Sequence, residues 1–317
     1  MVDAVKTAFQ AHFGHTPESV ARAPGRLELL GNHTDYNEGF VLSCAIDRGT
    51  VVALAKVPGE TCRLFSAQTG EERQFSVRNL GTPQPGDWAN YVKGVLVELA
   101  KRGIHPPAFN GYIDSTVPLS AGMSSSAALE MATVLALGKL AGATIEPAEM
   151  ARIGQGAENN FVGAKTGLLD QFTSLNGRLN HIVHTDFRSL AVQAVPCPAG
   201  AVLVVANSGV KHNLTQEYNE RRESCERAAA GMARCYPGVK TLRDVTMDQL
   251  LAARAQLDHL SFQRALHIVG ENERVQAGLV ALKAGDLAAL GELLSASHQS
   301  SREHFENSCP ELDILVE

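Results

Sequence analysis

The chain has 317 residues, with 28 Lys and Arg against 34 Asp and Glu for a net charge of -6, and is 44% hydrophobic and 20% charged. That balance excludes a dominant electrostatic attraction to nucleic acid or acidic lipid, and at roughly 100 to 200 residues per domain it describes two domains, each with its own core. Six cysteines, at 44, 62, 197, 225, 235 and 309, form no CxxC pair and no Cys/His ligand spacing, so neither a zinc site nor a disulfide framework is indicated.

From the N-terminus, Val2, Val5 and Phe9 fall on one helical face, and the segment has no apolar signal-peptide core. Because no stretch reaches about 18 consecutive apolar residues, the expectation is a cytoplasmic protein off the membrane. Pro17 and Pro24 break regularity before the polar run 25–40. Residues 50–57 are rich in β-branched types and read as a strand. A Gly/Pro-rich connector, 81–87, leads to Trp88 and a helix with Val92, Val95, Leu96 and Leu99 on its apolar face. The pattern then predicts a strand over 111–117, helices over 126–141 and 148–162, strands over 181–186 and 201–207, and long amphipathic helices from 214 onward. Strands and helices mixed without strict alternation indicate an α+β fold. The cluster Pro196, Pro198 and Gly200 places a boundary within 185–200.

Three segments carry chemistry. The run 25–40 sets Arg26 beside Asn32, His33, Thr34 and Asp35, a fixed positive charge next to a comb of hydrogen-bonding groups, which suits a small hydroxylated substrate. Residues 117–130 turn from a strand through Ser124, Ser125 and Ser126 into an alanine-rich helix. Small side chains and the free N–H groups of a first helical turn make a phosphate cradle, although the same composition fits a serine-capped helix after a tight turn. There is no Gly-Lys-Ser/Thr of a Walker loop. The third segment, 154–172, holds Glu158 late on a helix and Asp170 after a glycine-bearing turn. Oxygen ligands such as Glu158 and a serine hydroxyl suit Mg²⁺, and Asp170 is placed to take a proton from a substrate hydroxyl; read singly, both are also ordinary surface acids.

In this order the three segments resemble the galactokinases of the GHMP small-molecule kinase superfamily: Gly25 to Gly39 is similar to the family's sugar motif, Pro118 to Ala128 to its nucleotide motif, and Gly167 to Phe172 to its catalytic-aspartate motif. Trp88 to Gly94, Asp186 to Ser189, Ser208 to His212 with Tyr218 to Arg222, and His267 to Val275 extend the resemblance along almost the whole chain. It implies a two-domain GHMP fold. Residues 1–190 form a mixed-sheet domain like domain 2 of ribosomal protein S5, with the sugar motif and phosphate loop, and 191–317 a ferredoxin-like α+β domain. The implied reaction transfers the γ-phosphoryl of ATP to the anomeric hydroxyl of galactose. The implied roles are Asp170 as base, Arg26 stabilising charge, and Ser126 and Glu158 as Mg²⁺ ligands. Ser120, Ala121, Gly122, Met123, Ser124, Ser125 and Ser126 match the phosphate loop, Trp88 and Ser66 the nucleotide contacts, and Asn32, His33, Thr34, Asp35 and Tyr218 the sugar contacts. The expected partners are a sugar and ATP, and the expected state is a monomer.

Two departures stand out. The family usually carries glutamate where this chain has Asn32, and asparagine donates as well as accepts and is uncharged, so a galacturonate or another hexose is less excluded. The family's glycine-rich third motif is absent, and the chain ends in Ser308 to Glu317, which resembles the segment just before that motif; the expectation is a shortened C-terminal domain with an unpaired sheet edge. A galactokinase-like sugar sensor without turnover is the alternative of another class, and the intact Ser124 to Ala128 run together with Asp170 favours an enzyme.

Overall fold

A computed structural model of the chain describes residues 1–119, 121–210 and 215–317. By contact density it divides into two compact units, Met1–Arg26 with Ile46–Leu175, and Leu27–Ala45 with Asn176–Glu317.

The first unit contains α1 (Val2–Phe13), most of β1 (Ser19–Leu30) and the C-terminal part of β2 (Phe40–Lys56), then β3 (Thr61–Ser66), β4 (Glu71–Ser76), α2 (Ala89–Ala100), β5 (Phe109–Ser115), α3 (Ser125–Ala141), α4 (Pro147–Gly156) and α5 (Leu169–Asn176). A π-helical turn, Ala157–Val162, continues α4. β2 pairs β5 antiparallel from Thr50 opposite Ser115 to Lys56 opposite Phe109, β3 pairs β5 in parallel, and β3 and β4 form a hairpin. β1 pairs β2. The strand period of two explains why Val51 to Ala55 are all apolar. Val52 and Leu54 join the core made with Val92, Val95 and Leu99 of α2 and Met131 and Leu137 of α3, whereas Val51, Ala53 and Ala55 face Val5 and Phe9 of α1.

The second unit holds the N-terminal part of β2, with Phe40 to Ser43 paired antiparallel to Asp186 to Val183 of β6 (His181–Asp186), and β6 pairs β7 (Ala191–Pro196) as a hairpin. Helices α6 (Thr215–Cys235), α7 (Met247–Ala252), α8 (His259–Ala284), α9 (Leu287–Ser300) and α10 (Pro310–Val316) follow. α8 begins where Asp258 accepts a hydrogen bond from the Ser261 N–H at 2.9 Å and stops at Gly285, whose φ of 72° only glycine adopts without strain. One face of α8 packs on Leu30, Leu42, Ile182 and Val195, and another packs on Cys225, Ala228 and Met232 of α6 with Phe305.

The mixed α+β architecture agrees with the sequence reading, and one of its elements does not. Residues 201–207 form no strand: Val202 is 82% and Val204 88% exposed. β-branched composition favours an extended chain, but a strand exists only where a neighbour completes its ladder, and none does so among the described residues. β3, β4 and β7, by contrast, formed without a sequence signal that marked them. No helix of the described residues is long and apolar enough to cross a membrane.

Candidate active site

In the first unit, β1 delivers Arg26, the turn between β5 and α3 delivers the serine run, and the first turn of α5 delivers Asp170. Gly25 permits the approach of the first two: a Cβ there would sit 2.6 Å from the Met123 carbonyl oxygen. The Arg26 N–H donates to that same oxygen at 3.2 Å. Its guanidinium donates through Nε to Asp170 Oδ1 at 2.8 Å, with Nη2 2.6 Å from the same oxygen, and through Nη1 to the Gly122 carbonyl at 2.7 Å. Ser124 Oγ donates to Asp170 Oδ2 at 2.5 Å. One arginine and one serine thus hold both carboxylate oxygens, and the arginine also grips the turn between β5 and α3.

Ser124 sits at the N-cap of α3 with φ 55°, the left-handed region a non-glycine residue enters at a cost, and makes no side-chain cap. Its hydroxyl is committed to Asp170, so the helix begins with its first N–H groups uncapped by a side chain, as an anion-binding N-terminus requires. Ala121, Gly122, Met123 and Ser125 belong to the same turn, with Gly122 at φ 70°. Ser120 lies outside the described residues.

Behind this turn lies a buried acid cluster. Ser126 hydrogen-bonds the Glu158 carboxylate, which also accepts from Thr166 Oγ1 at 2.7 Å and from Gln171 Nε2 at 3.2 Å. Burial, and next the charge of Asp170, push Glu158 above its ordinary value. Gln171 Nε2 donates equally to Glu130 Oε2, at 2.9 Å, and Glu130 is fully buried with its other oxygen unbonded. Burial first, then Glu158, raise Glu130 well above the carboxylate range, so it is held as the neutral acid.

Trp88 is half-buried at the start of α2, its Nε1 donating to Glu71 Oε2 at 3.1 Å and its ring packing on the core. Ser66, 6% exposed at the end of β3, pairs in register with Ile113.

In the second unit the remainder of the polar run forms a compact loop. Gly31 takes φ 106°, where a Cβ would meet the Phe40 carbonyl oxygen at 2.5 Å. Thr34 Oγ1 is used inside the loop, bonded to the Gly31 and Phe40 carbonyls at 2.8 and 2.6 Å. Asp35 opens a single 3₁₀ turn and is 8% exposed. His33, at φ 62°, has its Nδ1 3.0 Å from Tyr36 Oη and its ring centroid 4.9 Å from that of Tyr218 and 4.6 Å from that of Phe305. Burial, helped by the charges of His267, Arg221 and Arg264, takes its pKa down to about 3, so it is a neutral ring at physiological pH. The structure therefore brings Asn32, His33, Asp35 and Tyr218 onto one unit, and a cavity of 220 Å³ is lined by His33, Tyr218, Arg221 and Asn307 among others. Of the motif 208–212, residues 211 and 212 lie outside the described residues.

The bracket beneath this loop has no assigned role in the sequence reading. Glu271, wholly buried on α8, accepts from the N–H groups of Gly31 and Asn32 at 2.9 and 3.4 Å and from Ser297 Oγ at 2.7 Å, and pairs with Arg274 at 2.6 Å. Burial acts to raise its pKa, but the charges of His267 and Arg274 and these donors hold it below the ordinary value. His267 Nε2 lies 3.0 Å from the Asn32 carbonyl, which can only accept, so Nε2 carries the proton and Nδ1 accepts from Ser300 Oγ at 3.0 Å. Asn272 Oδ1 accepts from the Phe40 N–H at 2.9 Å. The motif 267–275 marked this segment; its helical spacing, with positions 267, 271 and 274 on one face, was the available signal.

Comparison with known proteins places the chain among its relatives. The galactokinase galactose-binding signature matches residues 7–56, and the N-terminal domain of GHMP kinases matches residues 90–178. The chain is 42% identical over 324 residues to a galactokinase of Glaesserella parasuis serovar 5, spanning 100% of this chain and 82% of that protein. It is 40% identical over 313 residues to a galactokinase of Roseiflexus, spanning 98% and 80%. Among solved structures, the galactokinase of Lactococcus lactis complexed with galactose superposes with a TM-score of 0.88 at 30% identity, covering 99% of this chain and 82% of that one. A mevalonate kinase of Methanococcus jannaschii, at 16% identity and a TM-score of 0.59 over 94% and 82% of the two chains, shares the fold.

Proposed function

Because the chain belongs to the galactokinase family, we propose that it phosphorylates the anomeric hydroxyl of galactose with ATP, giving galactose 1-phosphate. The observation that carries the reading is the Asp170 carboxylate held on both oxygens by Arg26 and Ser124 beside an uncapped helix N-terminus. In this reading Asp170 takes the proton of the anomeric hydroxyl as its oxygen attacks the γ-phosphorus, and the bond to the β-phosphate oxygen breaks to release ADP. Arg26 offsets the charge that develops in transfer and keeps Asp170 oriented. Residues 120–126 cradle the phosphates, and Trp88 and Ser66 contact the nucleotide. Asn32, His33, Asp35 and Tyr218 bind the sugar, with Thr34 supporting them through the backbone of their loop.

Mg²⁺ fits the residues present. Glu158 and the Ser126 hydroxyl form an oxygen-only pair, and the Asp170 carboxylate disfavours the charge of Glu158, a repulsion that a divalent cation would relieve. When bound, it would neutralise phosphate charge during transfer.

In this reading the enzyme acts as a cytoplasmic monomer. The test is ADP release dependent on galactose: turnover in the native chain that is lost in Asp170→Ala supports the kinase, and galactose binding without turnover in the native chain refutes it.

A further inference from the structure

The Asn32 side chain is not free to choose its face. Asn307 Nδ2 donates to Asn32 Oδ1 at 2.8 Å. The backbone of Asn32 is fixed as well, through the His267 bond to its carbonyl and the Glu271 bond to its N–H. Asn307 is itself anchored, its N–H donating to the Ser301 carbonyl at 3.1 Å. Its Oδ1 is buried with no hydrogen-bond partner, and Asn307 and Arg221 line the same cavity. With Asn307 Nδ2 as the donor, Asn32 Oδ1 is the atom that is taken. Among the described residues nothing takes Asn32 Nδ2, so the NH₂ is the head that Asn32 has left to offer.

We propose that Asn307 is a specificity-determining residue: by occupying the Asn32 oxygen it presents the Asn32 NH₂ to the sugar, and so admits a galacturonate as a second substrate. The inference rests on the anomeric-kinase reading above and adds a substrate class to it. A sugar hydroxyl can accept as well as donate, so galactose satisfies an NH₂ head. A carboxylate can only accept; it would be repelled by an acidic side chain at position 32 and is matched by a fixed donor. The galactose-configured sugar with an acceptor-only group in place of a hydroxyl is the uronate. The chemistry is unchanged: the anomeric oxygen of galacturonate forms the new bond to the γ-phosphorus, the bond to the β-phosphate oxygen breaks to leave ADP, and the anomeric proton passes to Asp170. Asn307 touches Asn32 rather than the reacting atoms, so its effect should appear in KM and in the choice between sugars.

The experiment measures kcat and KM for galactose and for galacturonate, by ADP release, in the native chain, Asn307→Leu and Asn307→Asp. Leucine removes the anchor and lets the Asn32 amide turn. Aspartate keeps the shape but draws the Asn32 NH₂ to itself, turning the oxygen outward. The expected result is galacturonate turnover by the native chain, with galactose preferred over galacturonate about 10- to 100-fold more strongly in each variant, the range of one hydrogen bond to a charged group, and the change carried by KM for galacturonate. Native turnover of galactose without galacturonate, or a preference unmoved in a folded variant, overturns the inference and leaves the kinase standing. Loss of galactose turnover in the native chain overturns the kinase reading itself. Should Asn307→Leu fail to melt cooperatively, the isosteric Asn307→Asp decides the outcome.

Discussion

Arg26 and Asp170 meet with two guanidinium nitrogens on one carboxylate oxygen, Nε at 2.8 Å and Nη2 at 2.6 Å, while the third nitrogen is 2.7 Å from the Gly122 carbonyl. The arginine therefore does two things with one rigid group: it aims the carboxylate and it ties the turn between β5 and α3 to β1. Lysine cannot reproduce this, because its point charge lacks the planar fork. Arg26→Lys is expected to lower kcat by about 10²-fold, the size of one preorganised electrostatic contact, and Asp170→Asn by about 10²- to 10⁴-fold, the range of general-base catalysis. Steady-state ADP release at saturating galactose checks both; an Asp170→Asn enzyme within tenfold of native activity would remove the base assignment.

Glu130 gives a pH dependence of defined sign. Its folded-state pKa lies well above the ordinary 4.5, because the carboxyl is buried and faces Glu158. Between those two values the folded chain keeps a proton that the unfolded chain has released, so stability falls as pH rises above 4.5, by at most about 1.4 kcal/mol per pH unit. Glu130→Gln retains the shape and the neutral state and has no such slope. Urea unfolding from pH 4.5 to pH 8 is expected to show the variant gaining on the native chain as pH rises; parallel curves would show that Glu130 does not titrate differently in the two states.

Sequence and structure agree where local chemistry decides the outcome. The turn into α3 was legible because small residues after a strand and before an alanine-rich run read as a turn into a helix, and the structure places Ser124 of that turn on Asp170. The helix over 126–141 was legible from its alanine-rich composition, and those beyond 214 from their amphipathic period. What could not be read depends on partners distant in the chain. β3 and β4 are short, with half-exposed faces, and exist because β3 is paired by β5 on one side and by β4 on the other. Residues 201–207 show the converse, a strand-like composition without a ladder. In the site, Glu271 and Asn307 are separated from the loop they hold by more of the chain than any spacing rule covers, and Thr34 reads as a ligand by its position until its hydroxyl is seen bonded to Gly31 and Phe40.

His267 supplies the acid-side counterpart to Glu130. Burial takes its pKa to about 4, and it remains neutral while bonded to the Asn32 carbonyl. The unfolded chain binds a proton near 6.5 that the folded chain refuses, so stability is full above 6.5 and is lost as pH falls toward 4. By pH 5 the loss from this one group is about 2 kcal/mol. His267→Gln should be less stable than the native chain at pH 8, where a buried hydrogen bond is disturbed, and should show a shallower loss between pH 6.5 and 5. With the sugar-binding role proposed above for Asn32 and His33, the same variant is expected to raise KM for galactose, because His267 holds the Asn32 carbonyl. An unfolding free energy that declines equally in both proteins over that interval would refute the titration argument.

Gly25 tests whether the fold positions the chemistry. A methyl group at this position meets the Met123 carbonyl oxygen at 2.6 Å, Ile46 Cδ1 at 3.2 Å and Val117 Cγ1 at 3.3 Å. The nearest of these is backbone, which cannot rotate aside, so β1 and the phosphate loop must separate. The hydrogen bond from the Arg26 N–H to the same carbonyl lies in the next peptide and would lengthen with them. Gly25→Ala is expected to cost about 1 to 3 kcal/mol of stability, as overpacking does, and to lower kcat by about 10²-fold through misplacement of Arg26 against the loop. Tm and kcat are measured on the same preparation. A loss of Tm with kcat intact would show that the loop holds its catalytic geometry independently of β1, whereas a fall in kcat with KM for galactose nearly unchanged is the outcome expected if Gly25 sets that geometry.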